Sequence, residues 1–247
     1  MKKFIALFFV CLSLNSCYTT ENDSKKNCLE NCTTFSGQIR TVDGIGISKV
    51  KLTLDYHIGQ ELSSYTRIIG KATTDQNGFY EMSVFIKDNE LGEGSPGYFT
   101  LALDPEKINN SLPDEYLKPN AIFDIKPEVT YYSIIDRNEI LENDFIIPKK
   151  GNVKIKLKNF TPIVDGDYFN ARGFYNYTFL SGNWSYMRPY NGIYTEAKEN
   201  PSILNFKAVL NDTIRVNVSK KKNGVVENYQ EKIVLDNPNV YELELEY

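Results

Sequence analysis

The sequence predicts an all-β fold, in which two consecutive antiparallel β-sandwich domains follow a cleaved signal peptide and a polar tether. Three observations predict it. Apolar and polar residues alternate with a period of two, as in a strand with one buried face. Asn-Gly pairs act as hairpin turn signals, and signals for helices are scarce. The alternating segments are residues 50–56, 80–86, 153–158, 214–219 and 241–247.

Turn and break signals separate these segments. The Asn-Gly pairs predict hairpins because glycine adopts positive φ without steric cost. Four prolines within residues 104–128 predict a long irregular crossover, with a helical turn starting after Asp104. The Asn-Gly pairs lie at residues 77–78, 191–192 and 223–224.

A polar break, Pro-Lys-Lys-Gly at residues 148–151, stands between two alternating segments and predicts a domain boundary. The first domain is then expected over residues 34–148 and the second over residues 149–247. Residues 17–33 are polar and are expected to form a tether in front of the first domain.

The composition excludes several classes of protein. The chain has 28 Lys and Arg against 32 Asp and Glu, a net charge of −4. A nucleic-acid groove needs clustered excess positive charge, so no nucleic-acid partner is expected. With 24% charged and 41% hydrophobic residues, the chain has the composition of neither a disordered protein nor a multispan membrane protein.

The N-terminal residues have the layout of a secretory signal. Residues 1–3 are Met-Lys-Lys, and residues 4–14 are an uncharged, mostly apolar run. This run is too short for a membrane-spanning helix, which needs about 20 residues. The sequence Leu-Asn-Ser-Cys at residues 14–17 follows, and it resembles the lipobox of bacterial lipoprotein precursors. Asn15 departs from the lipobox, in which a smaller residue is usual.

The resemblance implies that residues 1–16 are cleaved as a signal peptide and that Cys17 carries acyl chains, palmitate among them. Its thiol would be the nucleophile that takes the diacylglycerol. Tyr18 stands where Asp would retain the protein at the inner membrane, so the resemblance implies an outer-membrane anchor that faces the periplasm or the cell surface. Membrane lipid is then one partner. The alternative is an ordinary secretory signal with an incidental cysteine.

Two cysteines, Cys28 and Cys32, remain once Cys11 leaves with the signal and Cys17 is acylated. In an oxidising compartment their spacing predicts a local disulfide, and two free thiols are the alternative. A metal site would need two more ligands, and no residue nearby in sequence supplies them, so no metal is expected.

Residues 73–80, Thr-Thr-Asp-Gln-Asn-Gly-Phe-Tyr, are the most characteristic segment of the first domain. Asp75 can accept backbone N–H bonds there while Asn-Gly reverses the chain. The domain resembles the carboxypeptidase regulatory-like (transthyretin-like) β-sandwich, which implies a non-catalytic module, although residues 104–143 depart from the compact family pattern. Residues 149–247 show a general similarity to Ig-like sandwiches. The other matching segments are residues 37–39, 43–44, 50–52, 96–101 and 144–147.

Chemical motifs are few. The Gly-x-Gly-x-x-Gly pattern at residues 92–97 is followed by a strand instead of the helix that dinucleotide binding requires. His57, the single histidine, ends an alternating strand and is expected to be solvated or hydrogen-bonded. Asp165 and Asp167 are expected to form a turn. The sequence therefore predicts no enzyme activity, no catalytic residue and no cofactor.

Aromatic residues are concentrated in residues 168–194, where ten occur in 27 positions. A core filled with large rings explains most of this segment. Its loop-like part, residues 182–192, combines Trp and Tyr with Asn and Arg, which suits a sugar ring or a protein contact. Trp184, Tyr186 and Tyr190 are therefore the candidate ligand contacts.

These features predict a membrane-anchored cell-envelope lipoprotein with a non-catalytic binding or structural role in an envelope assembly. An envelope protein or a glycan is the expected partner. The alternative is an accessory glycan- or peptide-binding lipoprotein that uses an exposed aromatic patch in the second domain.

Overall fold

The structure is a computed structural model that describes residues 17–26, 28–60, 63–118, 128–175, 185–186, 191–198, 202–236 and 240–247. Within these ranges the chain is mostly β, as the alternating sequence predicts, with one α-helix and one short 3-10 turn. The strands form four sheets, which pack in pairs around two hydrophobic cores.

The first half of the chain supplies nine strands, the 3-10 turn at Asp88–Glu90 and helix α1 at Pro105–Ser111. The strands are β1 (Cys17–Asn22), β2 (Thr33–Thr41), β3 (Lys51–Gln60), β4 (Ser63–Thr73), β5 (Phe79–Val84), β6 (Tyr98–Leu103), β7 (Glu128–Tyr131), β8 (Ile140–Glu142) and β9 (Phe145–Ile147).

The second half supplies eight strands. They are β10 (Lys150–Lys158), β11 (Tyr168–Tyr175), β12 (Ser185–Tyr186), β13 (Asn191–Glu196), β14 (Ser202–Val209), β15 (Thr213–Lys222), β16 (Val225–Val234) and β17 (Val240–Glu246).

The first sandwich packs a sheet of order β1-β4-β3-β6-β7-β12 against a sheet of order β5-β2-β8, in which β9 also pairs with β2. The inward positions are the apolar ones of the alternation. Leu52, Leu54 and Tyr56 of β3 are at most 1% exposed, and Tyr80 and Met82 face them from β5. The period-two pattern therefore placed the buried face correctly.

The second sandwich packs a sheet of order β14-β10-β17 against a sheet of order β13-β11-β15-β16. Alternating residues again form the core, with Val153, Ile155 and Leu157 of β10 opposite Ile214 and Val216 of β15. Each of these side chains is at most 1% exposed.

Two predicted turns form as expected. Asp75 Oδ1 accepts hydrogen bonds from the backbone N–H groups of Asn77 (2.8 Å) and Phe79 (2.9 Å), which closes the turn before β5. Asn223 and Gly224 join β15 to β16 with φ of 53° and 79°, the pair of positive values that a two-residue hairpin turn needs. Helix α1 begins after Asp104, which caps it through the N–H of Glu106.

Three expectations need correction. Asn191 and Gly192 lie in β13, opposite Tyr175 and Phe174, because cross-strand pairing there outweighs the local turn signal. The sheets are not purely antiparallel, since β1–β4, β2–β8, β2–β9 and β10–β17 are parallel pairs. Residues 17–33, expected as a tether, begin with strand β1, which is hydrogen-bonded to the edge of the first sheet.

Candidate functional site

The predicted acylation position lies at the start of strand β1. Its backbone register against β4 runs from Cys17 opposite Ser63 to Asn22 opposite Ile68. The strand is polar, so it adds to the sheet mainly through backbone hydrogen bonds rather than an apolar face. A chain anchored at this position would have its first described residues already built into the fold.

A buried ion network holds the end of this strand. The guanidinium of Arg67 on β4 is 2% exposed and donates from Nε to Glu90 Oε1 at 2.8 Å and from a second nitrogen to Glu90 Oε2. It also donates to Asp23 Oδ2 at 3.2 Å. Two carboxylates from different segments therefore neutralise one buried cation, which joins the residue after β1 to the 3-10 turn.

A second ion cluster lies nearer the surface on the same strand. Glu21 accepts from the Tyr65 hydroxyl and pairs with Lys87 Nζ at 2.8 Å. The hydrogen bond from the Lys87 ammonium, and to a smaller extent the one from the Tyr65 hydroxyl, hold the pKa of Glu21 below its usual value. Partial burial, and to a smaller extent the hydrogen bond to Glu21, raise the pKa of Tyr65 to about 12. Strand β1 is thus fixed by side chains as well as by its backbone.

A disulfide follows the ion network. Cys28 and Cys32 are bonded, with their Cα atoms 5.8 Å apart, in the connection that leads from β1 in one sheet to β2 in the other. The sequence left a disulfide and two free thiols open, and the structure has the disulfide. Lys26 pairs with Asp23 at 2.6 Å near the start of this connection.

The junction between the two sandwiches is built from the crossover that follows helix α1. Tyr116 donates its hydroxyl to Asp43 Oδ2 at 2.7 Å, and Lys149 Nζ reaches the same oxygen at 3.1 Å. The N–H of Leu117 bonds the carbonyl of Pro148 at 2.9 Å. Two contacts therefore hold the residues at the predicted domain boundary. Lys149 forms an ion pair with Asp43 of the first sandwich, and Pro148 accepts a hydrogen bond from the crossover after helix α1.

The predicted aromatic contacts are only partly within the described chain. Trp184 and Tyr190 lie outside the described residues. Tyr186 lies in β12, whose backbone pairs with β7 so that Tyr186 is opposite Thr130 and Ser185 opposite Tyr131. This part of the second half therefore extends the outer edge of the first sheet, a long-range pairing that nothing in the local sequence indicates.

The other residues considered for chemistry have structural roles. His57 Nδ1 is 3.1 Å from the Thr66 hydroxyl and its ring stacks on Tyr98. Asp167 accepts from the backbone N–H groups of Asn223 (3.0 Å) and Gly224 (3.2 Å) and so caps the β15–β16 hairpin. Residues 92–97 form a loop before β6.

Two kinds of feature are absent from the described residues. No group of three or more His, Cys, Asp or Glu side chains there is placed to hold a metal ion. No helix in the described part of the chain is long and apolar enough to cross a membrane.

Comparisons with known proteins give likeness of structure only. No family model and no curated protein matches the chain. Among solved structures, the TIE protein of Bacillus anthracis is similar over 87% of this chain, with 13% identity and a TM-score of 0.30. A streptococcal ancillary pilin is similar over 88%, with 11% identity and a TM-score of 0.33. An (S)-allantoin synthase is similar over 48%, with 10% identity and a TM-score of 0.32. The chain spans 34%, 63% and 42% of these three proteins, respectively.

Proposed function

We propose that this chain is a lipid-anchored protein of the bacterial cell envelope with a non-catalytic binding or structural role in an envelope assembly. Acyl chains on Cys17, palmitate among them, hold it in the outer membrane, where it faces the periplasm or the cell surface. Its two sandwiches perform the binding or structural role.

The lipobox-like Leu-Asn-Ser-Cys sequence at residues 14–17, which follows a short apolar run, carries this proposal. Residues 17–22 form strand β1 at the edge of the first sheet, so acyl chains on Cys17 would attach directly to the folded domain. Buried methylenes contribute about 0.8 kcal/mol each, and one acyl chain binds a membrane only marginally, so stable anchoring needs more than one chain. Several acyl chains on one residue meet that need.

The ion network around Arg67 adds to this support. Asp23 and Glu21 pair with Arg67 and Lys87 of the first sandwich, so the strand that begins at Cys17 is tied to this sandwich by side chains. An acyl anchor on Cys17 would therefore hold the first sandwich close to the membrane, as a structural role in an envelope assembly requires.

Metabolic labelling with radioactive palmitate tests the anchor. The wild type and Cys17→Ala are expressed in cells, with Cys11→Ala as the matched control, since it also removes one cysteine but leaves Cys17. We expect label in the wild type and the control and none in Cys17→Ala. Equal labelling of Cys17→Ala and the wild type would contradict the proposal.

The alternative is an accessory glycan- or peptide-binding lipoprotein that uses Trp184, Tyr186 and Tyr190. The pairing of β12 with β7 favours this alternative in one respect. It places the backbone of residues 185–186 at an outer edge of a sheet, where a partner can approach.

A further inference from the structure

The outward face of the sheet β13-β11-β15-β16 carries an unusual set of side chains. On β11 and β15 the buried positions are apolar and most outward positions are polar. On β16, Asn228 and Gln230 point outward on the same side as the exposed Val226 and Val234. Two cross-strand rows result, Asn170–Ser219–Asn228 and Arg172–Asn217–Gln230. We call the five residues Asn170, Arg172, Asn217, Asn228 and Gln230 the amide face.

Folding does not explain this composition. Asn is depleted in strands, where Thr, Val and aromatic residues are favoured, and three of the five residues are Asn. The outward face of the β14-β10-β17 sheet in the same sandwich is different, because its lysines form ion pairs with its glutamates. Lys154 and Lys156 there pair with Glu242, and Lys158 pairs with Glu244. The amide face has no such ladder of ion pairs among its described residues.

The amide face lines a shallow groove of about 550 Å³. Within it, the Gln230 amide donates to Asn217 Oδ1 at 2.7 Å. This bond leaves the Asn217 N–H₂ and the Gln230 carbonyl as a neighbouring donor and acceptor. Asn170 Oδ1 is buried at the groove and accepts no hydrogen bond from the described protein. An unsatisfied buried acceptor is unfavourable for folding, so stability alone does not account for an asparagine at this position.

Charge and ring contacts add a second kind of selectivity. The central carbon of the Arg172 guanidinium lies 4.8 Å from the centre of the Phe174 ring, a cation–π contact on the outward side of β11. A guanidinium carries N–H groups in a planar fork that can bind a carboxylate through two bonds. The outward positions of this sheet carry four cationic residues and one acidic residue, on a chain of net charge −4. The cations are Arg172, Arg215, Lys221 and Lys232, and the acid is Glu196.

We propose that the amide face is a binding site for an acidic polysaccharide. Amide groups both donate and accept, as do sugar hydroxyls, and amides on adjacent strands are about 4.5–5.5 Å apart, within reach of neighbouring hydroxyls of one ring. Arg172 binds the carboxylate of a uronic acid unit. The proposed site includes none of Trp184, Tyr186 and Tyr190, and it does not depend on the lipid anchor.

Binding to the purified full-length protein tests this site, with oligogalacturonate as the acidic probe. A maltooligosaccharide of the same length tests the need for the carboxylate, and poly-glutamate tests for attraction by charge alone. We expect oligogalacturonate to bind and the other two probes to bind at least about tenfold more weakly. Poly-glutamate binding equal to that of oligogalacturonate would overturn the proposal, as would no binding of oligogalacturonate.

Variants locate the site. The double variant Asn217→Ala, Gln230→Ala is expected to weaken oligogalacturonate binding by about tenfold or more, because two hydrogen-bonding groups are lost. Arg172→Gln is expected to remove the preference for the acidic probe. The matched control is Asn152→Ala, Asn205→Ala, which removes two amides from the outward side of the β14-β10-β17 sheet and should leave binding unchanged. Equal binding by the wild type and the Asn217→Ala, Gln230→Ala variant would overturn the assignment, whatever the palmitate labelling shows.

Discussion

Tyr116 and Leu117 are adjacent in the chain and are buried in different hydrophobic cores. Tyr116 is 3% exposed and packs in the core of the first sandwich, whereas Leu117 is 1% exposed and packs in the core of the second. The crossover after helix α1, which the sequence marked only as irregular, therefore contributes to both halves. The second sandwich is completed by a residue that precedes the predicted boundary at residues 148–151.

Leu117 should contribute to the stability of the second sandwich although it precedes the predicted boundary. We expect Leu117→Ala in the full chain to lower the free energy of unfolding by about 2–5 kcal/mol, because it removes a buried leucine side chain from the second core. Leu29→Ala, at a leucine that is 89% exposed, is the control and should change it by about 0.5 kcal/mol or less. Urea denaturation measures both variants. Equal midpoints for Leu117→Ala and the wild type would show that Leu117 adds nothing to the second core.

The buried cation should be costly to remove. Arg67→Ala leaves Glu90, which is 2% exposed, without its buried partner, and such a change costs about 3–5 kcal/mol. Arg40 is the matched control, since it is also an arginine of the first sandwich but pairs with Asp144 at 3.8 Å with both side chains about a third exposed. We expect Arg40→Ala to cost about 1 kcal/mol or less in the same chemical denaturation. Similar losses for both variants would mean that Arg67 has no special role.

Asp167 should make the second sandwich sensitive to acid. Desolvation acts to raise its pKa, but backbone N–H groups of Asn223, Gly224 and Val164 outweigh it and hold the pKa below the usual 3.8. A lowered folded-state pKa gives stability that is present above pH 3.8 and is lost as the pH falls through the folded value. The difference in Tm between the wild type and Asp167→Ala should therefore be largest near neutral pH and shrink below pH 3.8.

Asp165, exposed in the same turn, provides the control for this acid dependence. Asp165→Ala should follow the wild-type profile of Tm against pH. A wild-type advantage over Asp167→Ala that stayed constant from pH 7 to pH 2 would refute the role of the carboxylate charge.

Trp184 is the single tryptophan of the chain, so its fluorescence reports on the predicted aromatic patch. If the patch is an exposed contact surface, acrylamide should quench this fluorescence readily in the folded protein, and Trp184→Ala should leave Tm nearly unchanged. The same variant should weaken capture of the envelope partner or glycan. Weak quenching in the folded protein would place Trp184 in a core and end the patch hypothesis.

Local signals in the sequence account for much of the fold. The alternation identified the buried faces of β3, β5, β10 and β15, because a strand on a sandwich surface must turn every second residue inward. Asp75 determines one turn through hydrogen bonds to backbone N–H groups two and four residues later. Asn223 and Gly224 determine another turn because both adopt positive φ. Each of these features depends on contacts that are close in sequence, and that is why it could be predicted.

Long-range pairing accounts for what was missed. Strand β1 is polar and has no alternating apolar face, so it is defined by contacts distant in sequence, namely its hydrogen bonds to β4, the Asp23–Arg67 pair and the bonds of Glu21 to Tyr65 and Lys87. The parallel pairs and β12 likewise depend on which distant strand is the neighbour. The amide face was missed because Asn217 and Gln230 meet only across a hairpin, so that their spacing in sequence carries no signal.

Strand β1 also has a consequence for solubility. It covers the edge of β4 from Ser63 to Ile68, and without it those backbone N–H and C=O groups would face solvent. An uncovered sheet edge is a template on which a strand from another molecule can add, the first step of aggregation. The strand that forms this edge is instead the polar β1, which carries the charged Glu21. Proteolytic trimming of residues 17–22 would therefore move the open edge of the sheet from β1 to β4, where a strand of a neighbouring molecule could pair.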